Sequence, residues 1–412
     1  MNTTCDTLPS GTLTQEQAQA RILAAIPVFD ATERVGLRQA LGRMLAHTVT
    51  AHIEVPPHRN SAMDGYAVRH ADLASGQALQ VIGSSFAGRP FTGSVQPGEC
   101  VRIMTGATVP QGADSIVMQE NVQRNGDSIS ISARVEPGEH VRHPGEDMRI
   151  GDTVLEAGRK LNAADLGLLA SLSIGEVNVI RRPRVAFCST GDELKSIGEP
   201  LQAGEIYDSN RYTLYGMLQK LEVEIIDMGV VRDTRKDVER AFQQASQLAD
   251  VFITSGGVSV GEADFVGDTL KKLGQAEFWQ IAVKPGKPLT FGKIGNCFFF
   301  GLPGNPVSVM AGFPLFVRPA ILKMRGESAP TVAEYSAICT TPLKKAPGRK
   351  DYQRGICERD ANGQWRVRST GGQGSHILRS MSQANCFIVL PLEWGNVEAG
   401  TEVSIMPFEG LL

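Results

Sequence analysis

Four polar, glycine-containing segments each follow an apolar run of the kind that forms a buried strand. Glycine tolerates positive φ and lets backbone N–H groups approach an anion. Lysine adds a compact positive charge. The pattern therefore predicts a site for phosphate or another oxyanion. The segments are Ser189-Thr190-Gly191-Asp192-Glu193, Ser255-Gly256-Gly257-Val258-Ser259, Lys284-Pro285-Gly286-Lys287 and Pro303-Gly304-Asn305-Pro306-Val307-Ser308.

The last of these segments resembles the start of a helix. Pro306 suits a first helical turn, so the loop 303–306 (PGNP) should deliver free N–H groups to a phosphate or oxyanion. A single segment of this type is most often an ordinary turn, and a lysine pair is most often a solvated surface. Four such segments after strands of one sheet favour a ligand site.

Acidic side chains stand close to the same segments. Glu193 ends the first segment, Asp264 follows the second, and Asp233 lies between them in the sequence. Carboxylate oxygens are hard ligands suited to Mg²⁺ between phosphates. The sequence therefore predicts a magnesium site formed by Glu193 and Asp264, with Asp233 nearby.

An alternating pattern of strands and helices must position these segments. It predicts strands at 185–188, 223–228, 251–254, 278–283 and 297–300, with helices at 210–221 and 234–248. Such a series predicts a parallel sheet covered by helices, with the loops after the strands at one edge. In open α/β sheets ligands bind at that edge.

The remainder of the chain has a different sequence pattern. Residues 14–26 and 37–46 have helical spacing, and Asn162 is a good N-cap for another helix. Short alternating runs with many Gly and Pro fill 55–142, and turn-rich strands fill 331–412. We predict a multidomain α/β plus β protein: an elongated helical/β domain (1–54 and 143–182) with a β insert (55–142), a parallel-sheet α/β module (183–328) and a C-terminal β barrel (329–412).

Composition excludes several classes of protein. The net charge is −3, which gives no general attraction for nucleic acid or for an anionic membrane. The seven cysteines are scattered and odd in number, against a disulfide framework or a zinc site. Residues 1–11 lack the features of a signal peptide, and the apolar run 307–320 is short and broken, so we expect a cytoplasmic protein. The P-loop and dinucleotide-binding patterns are absent.

Three of the loop motifs are recognisable together. Residues 189–194 (STGDEL), 255–261 (SGGVSVG) with Asp264, and 301–308 (GLPGNPVS) resemble the molybdopterin-binding module of molybdenum cofactor biosynthesis. Residues 60–67 (NSAMDGYA), 104–107 (MTGA) and 145–147 (GED) lie outside that module. They resemble the molybdopterin molybdenumtransferase family, which includes the E domain of gephyrin. The resemblance extends over nearly the whole chain.

The resemblance implies a reaction and an assembly. The family uses adenylylated molybdopterin, molybdate and Mg²⁺, and yields molybdenum cofactor and AMP. Its members are homodimers in which the β insert of one subunit faces the molybdopterin module of the other. By that analogy Asp64 and Thr105 contribute across the dimer, and Asp147 belongs to the same site. From the residues alone, a helix N-cap or turn former is the favoured interpretation of Asp64, and Asp147 fits a turn former equally well. Thr105 and Thr190 fit ordinary strand-end hydroxyls.

The resemblance also places the last domain at the site. Residues 352–355 (YQRG) and 372–375 (GQGS) are similar to family segments that help to hold molybdate. Arg354, Lys284, Lys287, Ser308 and Ser375 would then supply its donors. A surface salt bridge is the alternative interpretation of Arg354.

Two other functions remain open. A molybdopterin adenylyltransferase would share the α/β module but neither the β insert nor the last domain. A dimeric scaffold would bind a partner peptide, as the E domain of gephyrin does, but would not need the loop glycines, lysines and acids together. The adenylyltransferase and molybdoenzyme maturation proteins are the expected protein partners.

Overall fold

The computed structural model describes residues 11–257, 265–327 and 332–412. The chain forms two compact units, of which one comprises the residues up to Ala31 together with Ile180–Leu412 and the other comprises Thr32–Val179. Each unit has hydrophobic cores of its own. The candidate loops fall in the first unit, and Asp64, Thr105 and Asp147 fall in the second.

A mixed seven-stranded sheet forms the centre of the first unit. Its four parallel strands pair in the order Cys297–Leu302, Val251–Ser255, Arg184–Thr190 and Glu224–Val231. The predicted parallel sheet is therefore correct for these strands. The strand Pro288–Ile294 is not among the predicted strands. It is antiparallel to both neighbours, because its two-residue connection Gly295-Asn296 to the next strand leaves room only for a hairpin. The sheet is completed by Gln275–Ile281 and Thr12–Leu13.

Helices cover this sheet as its sequence pattern predicts. They are Ser209–Gln219, Arg235–Leu248, Phe265–Leu273, Pro306–Gly312 and Arg318–Met324. Thr234 accepts a hydrogen bond from the N–H of Asp237 and so caps the second of them. The rings of Phe242, Phe252 and Phe299 pack together between helix and sheet.

The apolar stretch after Asn305 is longer than its sequence suggested. A π-helical turn, Phe313–Val317, joins the two flanking helices into one stretch, Pro306–Met324, despite Gly312, Pro314 and Pro319. The stretch has the length and apolar composition to cross a membrane, but 78% of its most apolar window is buried inside the protein. It is therefore a core helix of the first unit.

The first residues of the chain pack with the sheet rather than with the unit that follows them. Thr14 and Gln17 form the predicted capping box of helix Gln15–Ala25. Ala18, Ile22 and Ile26 lie in the core of the α/β unit. The predicted segment 1–54 is therefore divided near Ala31, because the apolar face of this helix is buried against the sheet and its neighbours.

The C-terminal strands close into a five-stranded barrel. The strand Lys350–Arg359 pairs with Trp365–Ser369 on one side and with Cys386–Leu390 on the other, which completes the closure through Tyr335–Cys339 and Glu402–Pro407. A short strand, Val283–Lys284, extends from the α/β part and pairs with Lys350–Arg359. The predicted β barrel is confirmed. The helix Leu378–Gln383 packs on it.

The second unit contains a six-stranded sheet. In spatial order its strands are Ser115–Met118, Gly65–Val68, Glu99–Ile103, Leu79–Ser85, Ser128–Ile131 and Val122–Asn125. Three strand pairs lie outside it: Thr32–Gly36 with Glu176–Ile180, Val49–Thr50 with Thr153–Leu155, and Asn60–Ser61 with Val141–Arg142. The short helix His70–Leu73 and the 3₁₀ turn Gln119–Asn121 belong to the same unit.

One of the two helices predicted in the second unit forms, and the other does not. Asn162 caps helix Ala163–Ser171 by accepting from the N–H groups of Ala164 and Asp165. The helix predicted at 37–46 is wrong, because only a 3₁₀ turn forms at Leu37–Ala40. Gly42 then adopts φ +76°, which ends the turn, and the following residues form isolated bridges.

Candidate active site

A cavity of about 670 Å³ lies at the carboxyl ends of the parallel strands. Most of the predicted α/β loop residues line it, which places residues far apart in the sequence around one space. The predicted residues in its wall are Thr190, Gly191, Glu193, Asp233, Ser255, Gly256, Gly257, Pro303, Gly304, Asn305 and Pro306.

Two glycines form a floor that no larger residue could make. Gly256 and Gly257 have φ of +92° and +67°. A Cβ on Gly256 would lie 2.5 Å from the carbonyl oxygen of Thr190, and one on Gly257 would lie 2.6 Å from the Thr190 hydroxyl. The backbone of this turn therefore packs directly on Thr190, whose side chain is 5% exposed. Both positions require glycine for conformation and for space.

The turn before the long helix has both bonded and free N–H groups. Pro306 has none, Val307 donates to the carbonyl of Ser375, and Ser308 and Val309 both donate to the carbonyl of Asn305. The tight first turn and the Ser375 loop therefore use the amides that follow Pro306. Within the loop 303–306 the amides of Gly304 and Asn305 have no acceptor among the described residues, as the sequence pattern predicts.

The carboxylates have different roles. Glu193 lies against Gly191 at the cavity wall and is exposed. Asp192 is outside the lining and accepts the N–H of Asp233, 3.1 Å away, so it positions that residue. Asp208 is buried in the wall, where its Oδ1 accepts from the Ser189 hydroxyl and from the N–H of Arg211.

Oxygen atoms without hydrogen-bond partners cluster among these lining residues. They are the hydroxyl oxygen of Thr190, Oδ2 of Asp208 and Oδ1 of Asn210. The amide nitrogen of Asn210 donates to the Ser255 hydroxyl and to the carbonyl of Gly304, so its orientation is fixed. Buried polar groups in native structures normally have partners, so three such atoms at one cavity indicate a ligand or bound water.

The structure describes only part of the predicted metal site. Asp264 and Ser259 lie outside the described residues. Across residues 11–257, 265–327 and 332–412, no group of three or more His, Cys, Asp or Glu side chains could hold a metal ion. Glu193 and Asp233 still border the same cavity, where a phosphate oxygen could complete a coordination shell.

The two predicted lysines are not in the cavity wall. Lys284 Nζ lies 3.3 Å from the buried carboxylate of Asp351 on the barrel. Lys287 is exposed, and its carbonyl accepts the N–H of Ile281. Ser308 is buried at the start of the long helix.

Arg354 lies behind the 372–375 loop rather than in the cavity wall. It is 1% exposed, and burial lowers the pKa of its guanidinium to about 10. Its Nε donates to the Ser380 hydroxyl at 3.0 Å, and its Nη2 donates to the carbonyl of Gly374 at 3.0 Å and more weakly to that of Gly372. The guanidinium therefore fixes the loop that carries Ser375.

We expect Arg354→Ala to lower the free energy of unfolding by about 3 kcal/mol or more. Hydrogen bonds to a charged group contribute about 1.5–3 kcal/mol each, and two well-formed ones are lost. Urea denaturation measures this change. Excess molybdate should not restore activity, because the loop itself is displaced. Arg368→Ala, an exposed arginine of the same barrel, should be nearly neutral. Recovery at high molybdate with unchanged stability would instead make Arg354 a direct ligand of the anion.

Two of the predicted residues of the second unit, Asp64 and Thr105, contact each other. Asp64 Oδ1 accepts from both the N–H and the hydroxyl of Thr105, each at 2.7 Å. These bonds hold the pKa of Asp64 below its usual range. Asp147 is exposed, and its N–H donates to the carbonyl of Val55.

Comparison with known proteins covers both units. Family models match at residues 13–173 (MoeA N-terminal region, domain I and II), 186–323 (probable molybdopterin binding domain) and 336–408 (MoeA C-terminal region, domain IV). A molybdopterin molybdenumtransferase from Haemophilus influenzae is 48% identical over 402 residues, which are 97% of this chain and 100% of the relative. The chain belongs to the molybdopterin molybdenumtransferase family.

Two further relatives agree with this membership of the molybdopterin molybdenumtransferase family. Gephyrin of Dictyostelium discoideum is 33% identical over 90% of this chain and 58% of its own length. The crystal structure of a molybdopterin biosynthesis MoeA protein from Pyrococcus horikosii is 30% identical. It has a TM-score of 0.82 and covers 96% of this chain and 99% of that chain. The similarity in sequence and the similarity in fold therefore both extend over nearly the whole chain.

Five polar residues of the cavity wall are absent from the predicted site of this molybdenumtransferase family member: Tyr207, Asp208, Ser209, Asn210 and His376. Asp208 carries a detectable signal, since an Asp directly before a helical pattern is a typical N-cap. His376 directly follows the recognised segment 372–375. Asn210 has no local signal, because the contacts of its side chain come from two other loops.

Proposed function

We propose that the chain inserts molybdate into adenylylated molybdopterin in a Mg²⁺-dependent reaction that releases AMP and forms molybdenum cofactor. Family membership supports molybdenum transfer to molybdopterin. The observation that carries the finer proposal is the single cavity that joins the glycine floor, the free amides of Gly304 and Asn305, and the carboxylates of Glu193 and Asp233. Such a set suits a pyrophosphate with its metal ion.

The oxygen atoms of the cavity fit magnesium by their chemistry. Glu193 and Asp233 offer carboxylate oxygens, and the Thr190 hydroxyl and Asn210 Oδ1 are oxygens without protein partners. Mg²⁺ prefers a few such ligands together with phosphate oxygens and water. We assign Glu193 and Asp264 as its carboxylate ligands, with Asp233 in support. When bound, the ion neutralises charge on the pyrophosphate.

Molybdate would lie where the barrel meets the α/β loops. Lys284, Lys287, Ser308 and Ser375 come from these elements, and Ser375 is joined to the long helix through its bond with Val307. A tetrahedral dianion needs several charge-assisted donors, which lysine and hydroxyl groups supply. Arg354 supports this site by fixing the Ser375 loop.

The reaction in this proposal depends mainly on placement and charge. Holding two reactants in the correct orientation can lower the barrier by up to roughly 7–11 kcal/mol. Asp64, kept ionised by Thr105, orients a nucleophile or accepts a proton. We propose that Asp64, Thr105 and Asp147 reach the cavity of the partner subunit in a homodimer.

The direct test uses the purified full chain with adenylylated molybdopterin, Mg²⁺ and molybdate. We expect AMP release that requires all three additions. Molybdopterin and ATP in place of the adenylylated pterin provide the second arm. Turnover in that arm alone would identify an adenylyltransferase, and binding without turnover in either arm would favour a scaffold.

A further inference from the structure

The cavity is acidic, although its proposed ligand is an anion. The carboxylates of Glu193, Asp208 and Asp233 belong to its wall, while Lys284, Lys287 and Arg354 do not. Among the described residues of the wall, His376 is the one whose side chain can carry a positive charge. His376 is therefore the one described side chain of this wall whose charge can be opposite to that of an anionic ligand.

The imidazole of His376 has a defined position. A Cβ on Gly374 would lie 2.8 Å from its Cε1 and 3.1 Å from its Nδ1, so the ring packs directly on the glycine backbone. The same loop is fixed from the barrel by Arg354, and Gln373 exchanges two hydrogen bonds with the Arg354 backbone. The ring is therefore presented by a rigid loop.

The loop also connects His376 to the free amides. The carbonyl of Ser375 accepts the N–H of Val307 at 3.1 Å, which joins the loop to the turn that carries Gly304 and Asn305. The ring nitrogens of His376 have no hydrogen-bond partner in the described parts of the chain. An imidazole can donate from one nitrogen when neutral and from both when protonated.

A second observation points to a ligand at this end of the cavity. The Thr190 side chain is 95% buried in the wall, yet its hydroxyl has no partner. Thr190 packs on Gly256 and Gly257, and a Cβ on Gly304 would lie 3.7 Å from the Cα of Gly256. The unpartnered hydroxyl and the free amides therefore border one small region.

We propose that His376 is a binding residue for a phosphate group of the nucleotide part of the substrate, acting together with the amides of Gly304 and Asn305. The ligand class is a nucleoside monophosphate or its pyrophosphate ester. The inference rests on the proposed function, because it assigns one subsite within the same cavity. It explains how an acidic wall binds a phosphate without a lysine or arginine among its described residues.

Equilibrium binding of AMP and of adenosine to the full chain, with Mg²⁺ present, tests this assignment. We expect the parent to prefer AMP, and His376→Gln to bind AMP about tenfold more weakly with adenosine unchanged. His376→Arg should retain much of the preference, because it keeps a positive donor. Arg379→Gln, which removes an exposed charge three residues away and outside the cavity, should behave like the parent.

Distinct outcomes separate this inference from the proposed function. An unchanged AMP preference in His376→Gln, or a parent that binds AMP and adenosine equally, would overturn the role of His376. Absence of AMP release by the parent from the adenylylated pterin would overturn the proposed function whatever the binding data show. Urea denaturation of each variant should match the parent, since the imidazole is exposed.

Discussion

Replacing Glu193 by Gln should reduce Mg²⁺-dependent AMP release by at least about 100-fold, since even residues behind metal ligands typically contribute 10- to 100-fold. Glu193 is an exposed carboxylate in the cavity wall, so the change should leave the fold intact. Initial rates across a magnesium titration measure the effect. A loss of metal affinity would shift the titration to higher magnesium, whereas a loss of positioning would lower the plateau.

Glu205→Gln is the matched control for this substitution. Glu205 pairs with Lys195 at 3.2 Å near the same loop but is not in the cavity wall. Its replacement should leave the magnesium titration unchanged, because it alters charge without removing a proposed ligand. Normal activity of Glu193→Gln at limiting magnesium would remove Glu193 from the metal site.

Combining an Asp64→Asn chain with a Glu193→Gln chain should restore activity that neither has alone. If each site uses Asp64 of one subunit and Glu193 of the other, a mixed dimer has one intact site of two. Doubly tagged dimers purified after co-expression should then show about half of the parent activity per dimer. Dimers carrying Asp64→Asn on both subunits should remain inactive.

The same experiment can contradict the shared site in two ways. A doubly tagged species that forms but has no activity would mean that each site is built within one chain. Failure to isolate any doubly tagged species, with the parent running as a monomer in light scattering, would exclude the homodimer itself.

Sequence reasoning succeeded where a local pattern determines the structure. The caps at Thr14, Asn162 and Thr234 depend on a side chain and an amide three residues or fewer away, and all three form. The four parallel strands follow equally from short apolar runs. These features need no knowledge of distant contacts.

It failed where a distant segment decides the outcome. Nothing in the sequence pattern shows that the amide of Val307 has a partner, but the carbonyl of Ser375 from another domain accepts it. Arg354 has contacts that its own sequence does not show, because loop carbonyls and the Ser380 hydroxyl accept from its Nε and Nη2. Asn210 gains its role from bonds to Ser255 and Gly304. No single stretch of sequence contains both partners of such contacts.

The short strand Val283–Lys284 belongs to the barrel sheet, although it directly follows a strand of the α/β sheet. The loop with Lys284 and Lys287 begins in that strand and is closed by the bond from Ile281 to the carbonyl of Lys287. Heat or denaturant that opens the barrel must therefore also release the lysine loop. A substitution in the core of the barrel, distant from the reactants, would then be observed in the cell as a loss of catalytic activity. A lower temperature or a stabilising second substitution would restore this activity, whereas a higher concentration of substrate would not.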